Sequence, residues 1–259
     1  MSIKGLIIDL DGVLTKDKAL NPFDDAGYFI DYINKKGIPY KIATNNTLYS
    51  PQNLEKRLKQ NSVNIKENSL ITPLFVAPRY MKENGIKNIF VIGSKELEKF
   101  FDDSGFNVKF STDVDAVVIG QDKNLNFEKL KIATSAVKQN KARILALNAN
   151  LITKDDDGLV FPGVGSVAQM LSYATKTNWI HFGKNSEEYN KQLFKEFDDL
   201  SKVAVISDDI FTDLIPFAKL GLKTIFITTG KYKEEDIPSD FKPDYIVHSL
   251  KEIISRGLV

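Results

Sequence analysis

The segment Gly5-Leu6-Ile7-Ile8, running into Asp9-Leu10-Asp11-Gly12, constrains the fold of this chain most. Leu6, Ile7 and Ile8 show no alternation of apolar and polar residues, the pattern of a parallel strand covered on both faces. Gly12 then permits a tight turn out of the sheet. Asp9 and Asp11 therefore stand one residue apart at the carboxyl end of a buried strand, the edge at which open α/β sheets bind ligands. Asp and Gly are also ordinary turn residues, so the local string alone leaves a simple turn open.

Apolar runs of the same kind return along the chain, separated by amphipathic stretches. Phe23 to Lys36 reads as a helix with Phe29, Ile30 and Ile33 inward, stopped by Gly37, and a strand follows from Tyr40 to Thr44. Pro51 begins a helix, and Pro73 to Lys82 is a further helical stretch. From Asn88 a second strand–helix rhythm appears, with strands at 89–92, 116–119 and 144–147 and helices at 95–104 and 126–138. The first rhythm resumes near His181, with helices at 188–197 and 212–220 and strands at 203–206, 224–227 and 245–247. Such alternation implies parallel sheets, and 259 residues leave room for a core with an inserted module. Lys231 to Lys242 is charged enough to read as a solvated loop.

Charge and composition exclude several classes. Lys and Arg total 35 against 34 for Asp and Glu, so no basic nucleic-acid surface is expected. Asp9 and Asp11 interrupt the only apolar segment near the start, and no apolar run is long enough to span a membrane; the expectation is a cytoplasmic protein. There is no cysteine, which removes thiolate chemistry, and two histidines far apart, His181 and His248, make a poor zinc site. Any metal should be a hard cation held by oxygen.

Three more segments place polar functional residues at or just beyond a strand-like run: Thr44 after Tyr40 to Ala43, Lys184 after Trp179 to Gly183, and Ser207-Asp208-Asp209 with Thr212-Asp213 after Val203 to Ile206. With these residues the chain resembles the haloacid dehalogenase superfamily of phosphotransferases, in its NagD-like and 4-nitrophenylphosphatase-like branch. That branch carries a C2-type cap inserted between the second and third motifs. The first motif, D-x-D-G-[VT]-[LI], is matched by Asp9 to Leu14 and the second, [ST]-N-N, by Thr44-Asn45-Asn46. The third, G-K-P, appears as Gly183-Lys184-Asn185, and the fourth, G-D-x-x-x-T-D, as Ser207 to Asp213. Asn185 and Ser207 depart from the pattern, as does Leu147-Asn148-Ala149-Asn150 where the branch often has T-N-x-D. Val117 to Asp122 and Phe161 to Ser166 look like cap signatures of the branch, so the resemblance runs over nearly the whole chain.

The resemblance implies a Rossmann-like parallel-sheet core from residues 1–84 and 179–259 and an α/β cap from 85–178. It implies a phosphatase acting on small phosphate monoesters, with Asp9 as the nucleophile that becomes an aspartyl phosphate and Asp11 as general acid and then base. Mg²⁺ would be held by Asp9, Asp208 and the main-chain carbonyl of Asp11. Thr44, the Asn45 amide and Lys184 would bind the transferring phosphoryl group, Asp213 would orient Lys184 or a metal-bound water, and Asp209 reads as a solvated neighbour more readily than as a ligand. A small phosphate ester is the expected partner, with pairing of two copies through the cap as in similar enzymes. A phosphotransferase or phosphomutase, a phospho-accepting signalling module and a protein that only binds ligand are the alternatives; an aspartate two residues after the nucleophile argues for turnover.

Other short patterns are rejected. Gly163 to Ala168 satisfies G-x-G-x-x-[GA], but Pro162 and the acidic run before it argue against a preceding strand, so a cap helix N-terminus is expected. Gly183-Lys184-Asn185-Ser186 lacks the upstream glycine of a P-loop. Asp155-Asp156-Asp157-Gly158 has Val164 where a calcium loop needs Glu, and a hairpin turn is expected instead.

Overall fold

The computed structural model describes residues 3–17, 19–154 and 157–259. The chain forms two compact units, Met1–Thr72 with Tyr189–Val259, and Pro73–Glu188. In chain order the first unit contributes β1 (Gly5–Asp9), α1 (Ala26–Lys36), β2 (Tyr40–Ala43), α2 (Pro51–Gln60) and β3 (Leu70–Ile71). The second contributes α3 (Pro73–Glu83), β4 (Asn88–Ile92), α4 (Lys95–Asp103), β5 (Asn107–Val108), β6 (Ala116–Ile119), α5 (Phe127–Asn140) and β7 (Arg143–Ala146). A hairpin of β8 (Ile152–Lys154) and β9 (Val160–Pro162), then α6 (Val164–Thr175) and β10 (Trp179–His181), complete it. After α7 (Glu187–Leu193) the chain adds β11 (Val203–Ser207), α8 (Ile215–Lys219), β12 (Lys223–Ile227), β13 (Tyr245–Val247) and α9 (Leu250–Ser255) to the first unit.

The first unit is a parallel sheet in the order β13-β12-β11-β1-β2-β3. β1 lies between β11 and β2, with Ile8 opposite Ile206 on one side and Ile42 on the other. Every residue of β1, β2 and β11 is buried, including Lys41 of β2, whose ammonium pairs with Glu196 at 2.6 Å and donates to the Asn68 carbonyl at 2.9 Å. Phe29, Ile30 and Ile33 of α1 pack on Leu6, Ile8 and Ile42, and α1 ends at Gly37 in a left-handed conformation whose N–H returns to the Asn34 and Ile33 carbonyls.

The second unit holds a parallel sheet in the order β10-β7-β6-β4-β5, covered on one face by Ala133, Ala136 and Val137 of α5 and Val164, Ala168 and Leu171 of α6. The first rhythm of the sequence was expected to resume near His181, but β10 pairs with β7 in this second sheet. A continuous apolar run marks a strand as buried without saying in which sheet, and pairing with Ile144 to Ala146 decides it. A short strand does precede Gly163, contrary to expectation; β9 pairs antiparallel with β8 in a two-stranded hairpin, so it is not the parallel strand of a dinucleotide-binding β–α–β unit. Gly163 is the N-cap of α6, and Asp155 and Asp156 lie outside the described residues. Among the described residues no helix is long and apolar enough to cross a membrane.

Candidate active site

The first unit's strands deliver their acidic residues to one edge. Asp9 closes β1 and is 7% exposed; Asp208 follows β11 and is 4% exposed; Asp213 is 1% exposed. Buried carboxylates are costly unless charge or hydrogen bonds compensate them, so their convergence at the strand ends is a feature the rest of the fold must support. Asp9 Oδ1 accepts the Leu10 N–H at 2.7 Å, and the Ser207 hydroxyl stands 3.4 Å from Asp9 Oδ2. Asp11 turns elsewhere: its Oδ2 accepts from the Thr44 hydroxyl at 3.3 Å. Two aspartates from one strand end thus meet different neighbours.

Gly12 makes the turn between them with φ +83°, and a Cβ there would collide with the Asp208 carboxylate. Thr44, buried after β2, accepts the Asn46 N–H at 3.0 Å, which shapes the turn through Asn45. Its carbonyl, with that of Ile71, faces the hydroxyl of Tyr189 at 3.2 and 2.7 Å. Tyr189 is fully buried, and nothing in the sequence distinguishes it from an ordinary core tyrosine.

After β11 a π-helical turn spans Ile210–Leu214, an irregularity frequent at functional sites. Asp209 caps it, accepting the Phe211 and Thr212 N–H groups at 3.1 and 2.9 Å, and its other oxygen pairs with Lys231 Nζ at 3.0 Å. Burial pushes the Asp209 carboxyl up, but those bonds outweigh it and hold it below the usual carboxylate range. Asp209 is therefore a cap and an ion-pair partner.

The loop after β12 is part of the same edge, and sequence reasoning missed it. Thr229 donates to the Gly12 carbonyl at 2.6 Å, and the Lys231 N–H donates to Asp208 Oδ2 at 2.5 Å. A Cβ on Gly230 would collide with Asp208, so the backbone must run close there. The signal was available: Thr224 to Ile227 reads as a parallel strand, and whatever follows such a strand stands at the ligand edge. The charge of Lys231 to Lys242 pointed instead to a solvated loop. Lys184 lies in the second unit, half-buried in the turn after β10.

Among the described residues, no group of three or more His, Cys, Asp or Glu side chains is arranged to hold a metal ion. The ligand set implied by the resemblance contains two carboxylates and a main-chain carbonyl, so it does not need such a group. Its donors fit a hard cation: all are oxygens, Asp9 closes β1 and Asp208 follows the neighbouring parallel strand, and the Asp208 carboxylate sits against Gly12 and Gly230 in space that a Cβ would otherwise take.

Models of the haloacid dehalogenase-like hydrolases match residues 6–107, and of the HAD-hydrolase-like proteins residues 181–253. The acid sugar phosphatase of Staphylococcus aureus is 30% identical, over 98% of this chain and 97% of its own. The p-nitrophenyl phosphatase of Archaeoglobus fulgidus superposes with a TM-score of 0.85 at 25% identity, covering 99% of this chain and 100% of that one. NagD from Escherichia coli shares the fold, with a TM-score of 0.80 at 24% identity over 98% and 99% of the two chains. The chain belongs to the haloacid dehalogenase-like hydrolases. Within them it falls on the capped branch of NagD and the p-nitrophenyl phosphatases, and it is an enzyme of the phosphatase type, a family whose mechanism depends on a divalent metal.

Proposed function

We propose that this chain is a Mg²⁺-dependent phosphatase that hydrolyses small phosphate monoesters through an aspartyl phosphate on Asp9. The observation that carries the reading is the divergence of the two aspartates at the end of β1: Asp9 faces Ser207 beside Asp208, whereas Asp11, two residues on, faces Thr44. One carboxylate is thereby available as nucleophile and the other as a proton carrier.

Phosphate monoesters are dianions that repel nucleophiles, so catalysis consists mainly of neutralising charge and holding groups in line. Asp9 attacks phosphorus while the ester P–O bond breaks, and Asp11 gives its proton to the departing alkoxide. Asp11 then takes a proton from the water that attacks the aspartyl phosphate, releasing inorganic phosphate and restoring both groups. The Thr44 hydroxyl, the Asn45 N–H and the Lys184 ammonium hold the phosphoryl oxygens. Asp9, Asp208 and the Asp11 carbonyl would hold Mg²⁺, which would supply positive charge to offset that of the phosphoryl group. The second unit acts as the cap that excludes water and selects the leaving group. Sugar phosphates are the favoured substrate class, because an acid sugar phosphatase is similar over nearly the full length of both chains.

The test is turnover of 4-nitrophenyl phosphate and a panel of sugar phosphates. Activity should vanish with EDTA and return with Mg²⁺, Mn²⁺ or Co²⁺. Full turnover after exhaustive chelation would overturn the metal assignment, and no hydrolysis of any phosphate ester would overturn the reading.

A further inference from the structure

Ser207 is fully buried at the end of β11, one residue beyond the Ile8–Ile206 pair, as Asp9 is on β1. Its hydroxyl has one proton and three polar neighbours. It accepts the Asp209 N–H at 3.0 Å; Asp213 Oδ2 lies at 2.7 Å and Asp9 Oδ2 at 3.4 Å. The shorter distance is that of a charge-assisted hydrogen bond, so the hydroxyl donates to Asp213, and the Asp9 oxygen rests at the far limit of the same hydroxyl. The bond from Asp209 to Ser207 also bridges Asp208, fixing the main chain on either side of it, while the Lys231 N–H fixes the Asp208 carboxylate itself. A glycine here would remove the hydroxyl's three contacts, and an alanine would set a methyl against two carboxylate oxygens.

We propose that Ser207 is a positioning residue, tying Asp213 to the turn that carries Asp208 and fixing the face that turn presents to Asp9. The inference rests on the phosphatase reading for its kinetic consequence and on geometry alone for its effect on the metal. Because Ser207 touches carboxylates and not substrate, its loss should lower kcat and metal affinity and leave KM for 4-nitrophenyl phosphate unchanged.

The experiment compares Ser207→Ala, Ser207→Gly, Asp213→Asn and the double variant Ser207→Ala/Asp213→Asn with the wild type, each checked for folding by circular dichroism. Ser207→Ala should lower kcat about tenfold, the size expected for one hydrogen bond to a charged group. The Mg²⁺ concentration giving half of the metal-induced rise in Tm should increase about tenfold, as for other groups that orient metal ligands. The double variant should lose no more kcat than Asp213→Asn alone, since the hydroxyl acts through Asp213. Ser207→Ala with wild-type kcat and wild-type Mg²⁺ dependence overturns the proposal, as do losses that multiply in full in the double variant. Ser207→Gly introduces no new atom and decides the matter if the alanine variant does not fold. If the wild type hydrolyses nothing, the phosphatase reading fails, and the Mg²⁺ titration of Tm still decides the role of Ser207.

Discussion

The sheets of the two units share a construction and differ at one end. Each buries runs of Val, Ile, Leu and Ala in parallel strands, and each ties neighbouring strand starts with a carboxylate. Asp244 accepts the Thr224 N–H and pairs with Lys223 in the first; Asp115 accepts the Lys87 and Asn88 N–H groups in the second. At their carboxyl ends they diverge. The first sheet ends in Asp9, Asp208 and the Thr229-Gly230-Lys231 loop. The second ends in Ile92, Gly120 and Gln121, which with Phe161 and Val164 line a cavity of about 470 Å³. There the acid, Asp122, is neutralised by Lys129 at 2.6 Å. One parallel scaffold thus yields either a gathering of carboxylates or a mixed polar and apolar pocket, according to the residues just past each strand and, in the second unit, those of β9 and α6.

The comparison is broken most severely if the first edge proves dispensable. Asp9→Asn should reduce hydrolysis to background while the protein stays folded, because the residue belongs to the edge and not to the apolar core. A folded Asp9→Asn protein with appreciable turnover would contradict it. Asp11→Asn should lower steady-state hydrolysis by roughly a hundredfold or more, the usual loss of general acid–base catalysis. With acetyl phosphate, whose leaving group needs no proton, formation of the Asp9 phosphate should suffer less than its breakdown, and mass spectrometry should detect its accumulation. A wild-type protein that holds a long-lived Asp9 phosphate, with little change in Asp11→Asn, would favour a phospho-accepting module.

The second edge should show the opposite signature. Gln121→Ala is expected to leave kcat for 4-nitrophenyl phosphate within about threefold, under 1 kcal/mol in barrier. An equal fall of kcat on every substrate would place chemistry at the second edge as well.

The smallest effects belong to the strand ties, where the sheets should behave alike. Burial raises the Asp115 and Asp244 carboxyls, but hydrogen bonds from Asn88 and Lys87 in one case, and from Lys223 and Thr224 in the other, outweigh it and leave both below the ordinary value. A folded-state value below the unfolded one contributes stability above the unfolded carboxylate pKa of about 4, lost as pH falls through the lowered folded value. Asp115→Asn and Asp244→Asn should each cost under about 1 kcal/mol at pH 7, with the gap to wild type closing in acid. Urea titrations at pH 7 and below pH 4 check this; a gap that widens in acid reverses the sign.

Much of this was legible in residue order. Apolar runs marked β1, β6, β11 and β12, because a strand covered on both faces has little polar side to display. Helix α1 was marked by the spacing of Phe29, Ile30 and Ile33 and by Gly37, and the resemblance at Asp9 to Leu14 and Thr44 to Asn46 pointed to the family. These are local signals, written in the spacing and type of neighbouring residues. What only the tertiary structure decided is non-local: that β10 joins β7 in the second sheet, that Lys231 reaches Asp208, that Tyr189 meets the Thr44 carbonyl, and that one Ser207 hydroxyl stands between Asp9 and Asp213. Parallel strands are paired by crossovers that carry no register signal of their own, so residues nearly two hundred positions apart become neighbours only once the sheet has formed.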